Sequence, residues 1–392
     1  MRRCSCSQAW GKSLRALAGV MVCTVASAAP GEEEVDLKTL LPKWEPSFSV
    51  RAGGGYKDNV TLASTDSATE SSPFFRSGLE LAAFHPPWKG TEITLFLDAE
   101  DTRYFSSRTV DDEQTVFAQG EIKHQWLNDW QAGIAVDGSY QNQVVDITEN
   151  DLAGAQVLST NHAIQVRGES VAVRPSVRRD LSEKAWLAFE FPIIRQFYEL
   201  PLDNQWEGGP SLTYGVAYGH GSEVTFAYDY VYRDYDTAPL RTRSGDVTNG
   251  VRNIDQHQFH WAWRHHWDED RHWRTTVRAG YRNATDNGSG YFDYDRVSAS
   301  AAVRWRKHPW EVTAEVRYGH YEFPVQTVGS LMLNGDPSKR RRSDWSLHLR
   351  VERQLLPHVK GFAEYDREQS ISNVSIEEYT VNTVSGGLMV EY

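Results

Sequence analysis

The feature that most constrains this chain is a two-residue rhythm. In WRTTVRAGYR, residues 273–282, Trp273, Thr275, Val277, Ala279 and Tyr281 alternate with a row that carries Arg274, Arg278 and Arg282. Successive side chains of a strand point to opposite faces, so such a segment has one face for grease and one for water. Roughly sixteen runs of this kind recur between Phe48 and Tyr392, and helical spacing is almost absent. They centre on 47–56, 74–84, 91–102, 114–126, 130–141, 162–178, 184–197, 209–218, 223–234, 255–267, 273–283, 295–305, 310–321, 344–355, 359–369 and 379–392. Strand six loses its parity around Glu169 and Ser170, which predicts a β-bulge there.

The connections alternate too. Short turns such as LND (127–129), GHGS (219–222) and RKHP (306–309) are separated by longer polar loops at 57–73, 142–161, 235–254, 284–294 and 322–343. Tryptophans flank the short turns (Trp88, Trp126, Trp130, Trp267, Trp273, Trp305, Trp310), and tyrosines mark the far end of the apolar rows (Tyr140, Tyr232, Tyr281, Tyr318, Tyr365). Eight to ten residues at about 3.3 Å each, tilted near 40°, span on the order of 20–25 Å, close to the apolar band of a membrane barrel. A soluble sandwich would need a second sheet to cover every apolar row. The expected fold is therefore all-β: a transmembrane antiparallel β-barrel of about 16 strands, with short periplasmic turns, longer extracellular loops and both termini on the periplasmic side. A barrel of that size leaves an aqueous channel unless something fills it.

The ends of the chain fit an outer-membrane destination in a Gram-negative cell. Residues 1–28 read as a signal peptide: Arg2, Arg3, Lys12 and Arg15, a short apolar run, then Ala26-Ser27-Ala28. Residues 29–44 read as a periplasmic segment and 45–392 as the barrel. All three cysteines lie in the leader, so the mature chain has no disulfide. Removing four basic residues and no acids takes the formal net charge from −12 to −16, which argues against a nucleic-acid partner. The final row Val384, Gly386, Leu388, Val390, Tyr392 is similar to the terminal signal read by the barrel-insertion machinery.

Parity assigns the lumen. Glu80, Glu92, Asp98, Glu100, Glu121 and Asp137 are expected to point inward from strands two to five, and Arg264, Arg274, Arg278, Arg282, Arg296, Arg304, Arg317 and Arg350 from strands ten to fourteen. On a closed ring these sets lie on opposite sides, an acidic wall facing a basic one, with a field that orients polar solutes. The competing reading is that these charges pair with neighbours and hold the wall together. Asp146, Glu149 and Asp151, after strand five, are candidates for a constriction loop, or for a surface loop in solvent. Lys339-Arg340-Arg341-Arg342 is expected to meet lipopolysaccharide or solvent. The histidine-rich stretch 257–272 is dispersed by parity, with His260 and His266 inward and His257 and His265 outward, so no metal is expected. No hydrolase, phosphate-loop or zinc spacing occurs, and neither a catalytic group nor a cofactor is assigned.

The chain resembles the porin-like outer-membrane β-barrel proteins, in its architecture and in GGGYKDNV (53–60), which is similar to the Gly-Tyr-x-Asp-Asn-Val openings of that group. The resemblance implies a channel but supplies no ligand residues. The function expected is passive diffusion of small polar or anionic solutes. The alternatives are an export channel for an acidic exopolysaccharide, or a barrel serving as an outer-membrane enzyme or scaffold. Lipid and lipopolysaccharide are the expected surroundings; the sequence leaves homo-oligomerisation open.

Overall fold

The structure, a computed structural model, describes residues 44–146, 163–328 and 338–392. These form one antiparallel sheet that closes on itself. Its strands are β1 (Glu45–Lys57), β2 (Ser72–Trp88), β3 (Thr91–Tyr104), β4 (Asp112–Leu127), β5 (Trp130–Asp146), β6 (Ala163–Asp180), β7 (Ala185–Glu190 and Ile193–Tyr198), β8 (Gln205–Gly208 and Ser211–Tyr218), β9 (Ser222–Arg241), β10 (Val247–His266), β11 (Trp273–Asp286), β12 (Tyr294–Lys307), β13 (Trp310–Val328), β14 (Ser338–Leu356), β15 (Val359–Ser372) and β16 (Tyr379–Glu391). Each pairs with the next, and β16 pairs with β1 from Ser49↔Glu391 to Lys57↔Thr383. At the seam Phe48 and Tyr392 exchange two backbone hydrogen bonds, of 3.0 and 2.9 Å, and their rings stack at 5.5 Å.

Strands β7 and β8 are each in two segments because Pro192 and Pro210 bring no N–H to the ladder. The wall stays sealed. The amides of Phe191, Gly209 and Tyr230 donate to the carbonyls of Pro175, Pro192 and Pro210, which carries the ladder across the interruption. Eighteen hydrogen-bonded segments thus make sixteen staves.

The two faces divide as alternation requires. Phe48, Val50, Leu79, Leu81, Phe226, Trp273, Tyr281 and Val297 stand exposed on the outside, the band that meets lipid. Trp126 stacks on Trp130, and Trp273 meets Trp305 across neighbouring strands, forming the girdle at the short-turn end. At the other end Tyr281 donates to Asp295, and Tyr365 to Asn382.

Two expectations need correction. Strand β6 has no bulge at Glu169–Ser170, since its register with β5 is continuous from Ala163 to Arg179. Glu169 pairs with Tyr140 of the upper girdle; beyond it the strand has left the apolar band, so an outward carboxylate costs little there. Several long loops are also shorter than alternation suggests. The 235–254 loop is mostly hairpin, with β9 running to Arg241 and β10 starting at Val247, through bulges near Pro239. Likewise β13 and β14 pair out to Val328 and Ser338.

Inside the extracellular end, three small apolar clusters tie these extensions together. Tyr235, Ile254, Phe292, Tyr294, Tyr321 and Phe323 build the largest, over β9–β13. Val60, Phe74, Tyr104 and Val110 form the second, Val166 and Leu202 the third. Near the second, Glu70 clasps the 105–110 turn. It accepts the hydroxyls of Ser107 and Thr109, both at 2.6 Å, and the amides of Arg108 and Thr109. Partial burial opposes its charge, but these donors outweigh that and hold its pKa down at about 2.

Candidate functional site

Strand register fixes which side chains share the interior. On β11, Arg274, Arg278 and Arg282 stand opposite His266, Ala262 and Gln258 of β10 on one side. On the other they stand opposite Arg304, Ser300 and Arg296 of β12. Continuing through β13 and β14 brings Arg317 beside Ser346 and Arg350 beside Thr313. The acids fall on the same face: Glu80 opposite Asp98, Glu100 opposite Gly78, Glu121 opposite Ala135, and Asp137 opposite Gln119. In the register Glu92 stands opposite Lys123, and Arg264 opposite Glu223. All fourteen residues picked by parity point away from the lipid band.

They do not form two opposed walls. Arg51, on β1, reaches Glu100 at 2.6 Å and Asp98 at 3.9 Å, and Arg76 reaches Glu100 at 3.4 Å. Lys123 holds Glu121 at 2.7 Å. Asp137, almost wholly buried, is gripped by Arg174 through two bonds of 2.6 and 2.9 Å. On the basic side Arg264 pairs with Glu223 at 2.8 Å, Arg304 with Glu311 at 2.5 Å and Arg317 with Glu315 at 2.8 Å. Arg350 lies between Glu352 and Glu364. Arg282 donates to Tyr294 and Gln258, and Arg296 lies over the Tyr321 ring at 4.8 Å. Like charges set side by side on neighbouring strands repel and opposite charges attract, which favours this local pairing over two separated blocks of like charge.

Four of the fourteen are left over. Among the described residues Arg274 and Arg278 make no ion pair or hydrogen bond, and neither do Glu80 and Glu92. Adjacent Arg264 and Arg304 have carboxylates of their own. Arg274 and Arg278 thus stand on β11 without a contact partner, with Glu311 and Glu315 acting on them only at longer range, and Glu80 and Glu92 stand likewise on β2 and β3. Arg51, Arg174 and Glu364 were missed by reading the strands as blocks of one sign; parity alone places them inside.

The remaining sequence candidates are placed as follows. Glu149 and Asp151 lie outside the described residues, and Asp146 is described only as the last residue of β5, paired with Ala163. His260 faces inward and meets Asp229 at 3.1 Å, while His265 sits on the outer face, stacked on Trp263 at 5.3 Å. Among the described residues no group of three or more His, Cys, Asp or Glu is arranged to hold a metal. Ser222 of the GHGS turn is fully buried and accepts the His266 amide at 3.0 Å. The run 339–342 is not a solvent patch throughout. Arg340 turns in to Glu377 at 2.6 Å and over the Phe323 ring at 4.2 Å, and Arg342 is 3% exposed against Asp344. Alternation sends only every second residue of a basic run outward.

No family model matches the chain, and no curated protein matches it. Among solved structures it is similar to a BenF-like porin from Pseudomonas fluorescens Pf-5 (TM-score 0.47, 8% identity, 90% of this chain and 100% of that one). It is also similar to OccAB1 of Acinetobacter baumannii (0.47, 8%, 89% and 96%). A third likeness is to CdiB from Acinetobacter baumannii (0.45, 9%, 88% and 60%). At such values the likeness carries no functional argument.

Proposed function

We propose that the protein is an outer-membrane channel through which small polar or anionic solutes diffuse passively. The observation that carries this reading is the pair Arg274 and Arg278: two guanidinium groups on the inner face of a closed sixteen-strand ring that make no ion pair or hydrogen bond among the described residues, while the acids that act on them at longer range, Glu311 and Glu315, are already held by Arg304 and Arg317. A guanidinium used only to brace the wall would be paired, as Arg174 is. Two free arginines in a confined aqueous space raise the local concentration of anions. Cavities of about 230 and 260 Å³ in the lumen wall, lined by charged side chains, offer small polar solutes places to lodge. An exporter of acidic polysaccharide would be served by a continuous basic surface, whereas most arginines here are already engaged.

The rest of the chain is consistent with that role. Residues 1–28 would direct export and be removed, and the row ending at Tyr392 would present the chain to the barrel-insertion machinery.

Single-channel recording of the refolded protein in a planar bilayer under a salt gradient tests the reading. Steady conductance with a reversal potential on the anion side is the expected result. Correctly folded barrel that passes no current would overturn it.

A further inference from the structure

The closing seam has an unusual floor. Gly53 and Gly55 on β1, Gly387 on β16 and Gly78 on β2 all fall on the inner face, where Ser385 is the neighbour of Gly55. The glycines raise nothing from this strip, and what crosses it lies flat against the wall, Arg51 over Gly78 and Phe74 over Gly55. Charged groups crowd its two edges, from β14–β15 on one side and β2–β3 on the other, and a cavity of about 230 Å³ opens over it.

The lining of that cavity is balanced. Arg51, Arg76 and Arg350 face Glu100, Glu364 and Asp366, with His348 held by Asp366 at 2.6 Å and the Phe362 ring beneath Arg350. Most contacts are short. Arg51 meets Glu100 at 2.6 Å, and Ser385 donates to Glu364 at 3.2 Å. One is long: Arg76 on β2 and Glu364 on β15 stand 3.9 Å apart across the glycine floor, where the two halves of the network face each other.

From this geometry we propose that the cavity is a binding station for small zwitterions of the α-amino-acid type, seated between Arg76 and Glu364. A lone anion entering there meets three carboxylates and must take a guanidinium from one of them. A lone cation meets the converse problem. A solute with an ammonium and a carboxylate a few bonds apart satisfies both edges at once and leaves no charge behind. Phe362 offers the one apolar surface for whatever side chain the solute carries. The station lies on a different stretch of the ring from Arg274 and Arg278, over the β16–β1 seam rather than on β11, so it adds a second selectivity to the anion-attracting wall. It rests on the channel reading and deepens it.

Proteoliposome swelling tests the station with two uncharged-overall probes of similar size, L-glutamine and L-arabinose, and takes their rate ratio within one preparation. That ratio cancels differences in the amount of folded barrel. The expected result is entry of L-glutamine at least threefold faster than L-arabinose, falling to near parity in the double variant Arg76→Gln, Glu364→Gln. The paired substitution removes both charges together and leaves the net charge of the cavity unchanged. Equal rates in the unmodified protein would overturn the station while leaving the channel. A preference that survives in the double variant would overturn its placement at Arg76 and Glu364. Entry of neither solute would remove the channel reading, and this inference with it.

Discussion

Replacing Arg274 and Arg278 with glutamine should convert an anion-preferring pore into a nearly unselective one, and the size of the change can be worked from the strand. The two residues are four positions apart on β11. At a rise of about 3.3 Å per residue their origins are about 13 Å apart, so an ion passing midway lies about 6.6 Å from each. One unit charge at that distance in water is worth about 0.6 kcal/mol, which screening at 0.1 M salt reduces to about 0.3 kcal/mol. Both arginines together attract a monovalent anion by about 0.6–0.7 kcal/mol and repel a cation as much. The anion-to-cation permeability ratio should therefore fall about ninefold in the double variant at 0.1 M salt. At 1 M, where the screening length is about 3 Å, the same substitution should change the ratio less than twofold. Reversal potentials recorded across a salt gradient at both mean concentrations supply the measurement. A double variant that folds, conducts and keeps its reversal potential at 0.1 M would refute the argument. So would a shift of equal size at both concentrations, because direct Coulomb attraction in an aqueous lumen has to be screened.

Three other perturbations follow from the pairing and packing. Arg174→Met leaves the buried Asp137 carboxylate without its two donors and should cost about 2 kcal/mol in urea unfolding; adding Asp137→Asn should recover part of that loss. Glu70 titrates near 2 in the fold against an ordinary value of 4.5. Its clasp on the 105–110 turn is fully present above pH 4.5 and is lost as pH falls toward 2. Amide exchange of that turn, corrected for its intrinsic rate, should accelerate over this window, and Glu70→Gln at neutral pH should already speed tryptic cleavage after Arg108. A Cβ on Gly78 would lie 2.4 Å from Nε of Arg51. Gly78→Val should therefore displace Arg51 from Glu100, cost about 1–3 kcal/mol and alter the conductance, as read by unfolding and single-channel recording.

How far the sequence led depends on which solvent each residue faces. Lipid tolerates no exception to alternation within its band, so all sixteen staves and both aromatic girdles could be read from spacing alone. Above the band the demand lapses. Residues 235–241 and 247–254 pair as strand, although neither face is uniformly apolar, and nothing in the period marks them. Parity also placed Arg264, Arg274 and the twelve other charged candidates on the inner face. What it could not supply was partnership. Asp137 reads as one more acid in an acidic stretch until β6 brings Arg174 beside it, and Arg51 reaches Glu100 only because Gly78 lets it lie across β2. Pairing depends on register between segments far apart in sequence, and on small residues that let long ones lean.

That leaning has a consequence for how the lumen can change over generations. Trp186 covers Gly215 and Tyr198 covers Gly168, as Arg51 covers Gly78. In each case a bulky group lies along the wall instead of projecting toward the axis. The heritable unit of bore width is thus a couple made of one glycine and one neighbour on the next strand. Enlarging the glycine swings its cover into the water-filled space; trimming the cover bares a patch of backbone. Neither step disturbs the residues that face lipid, because those occupy the other parity. A lineage carrying such a barrel can therefore retune what passes through it, one couple at a time, while its fit to the membrane is inherited unaltered.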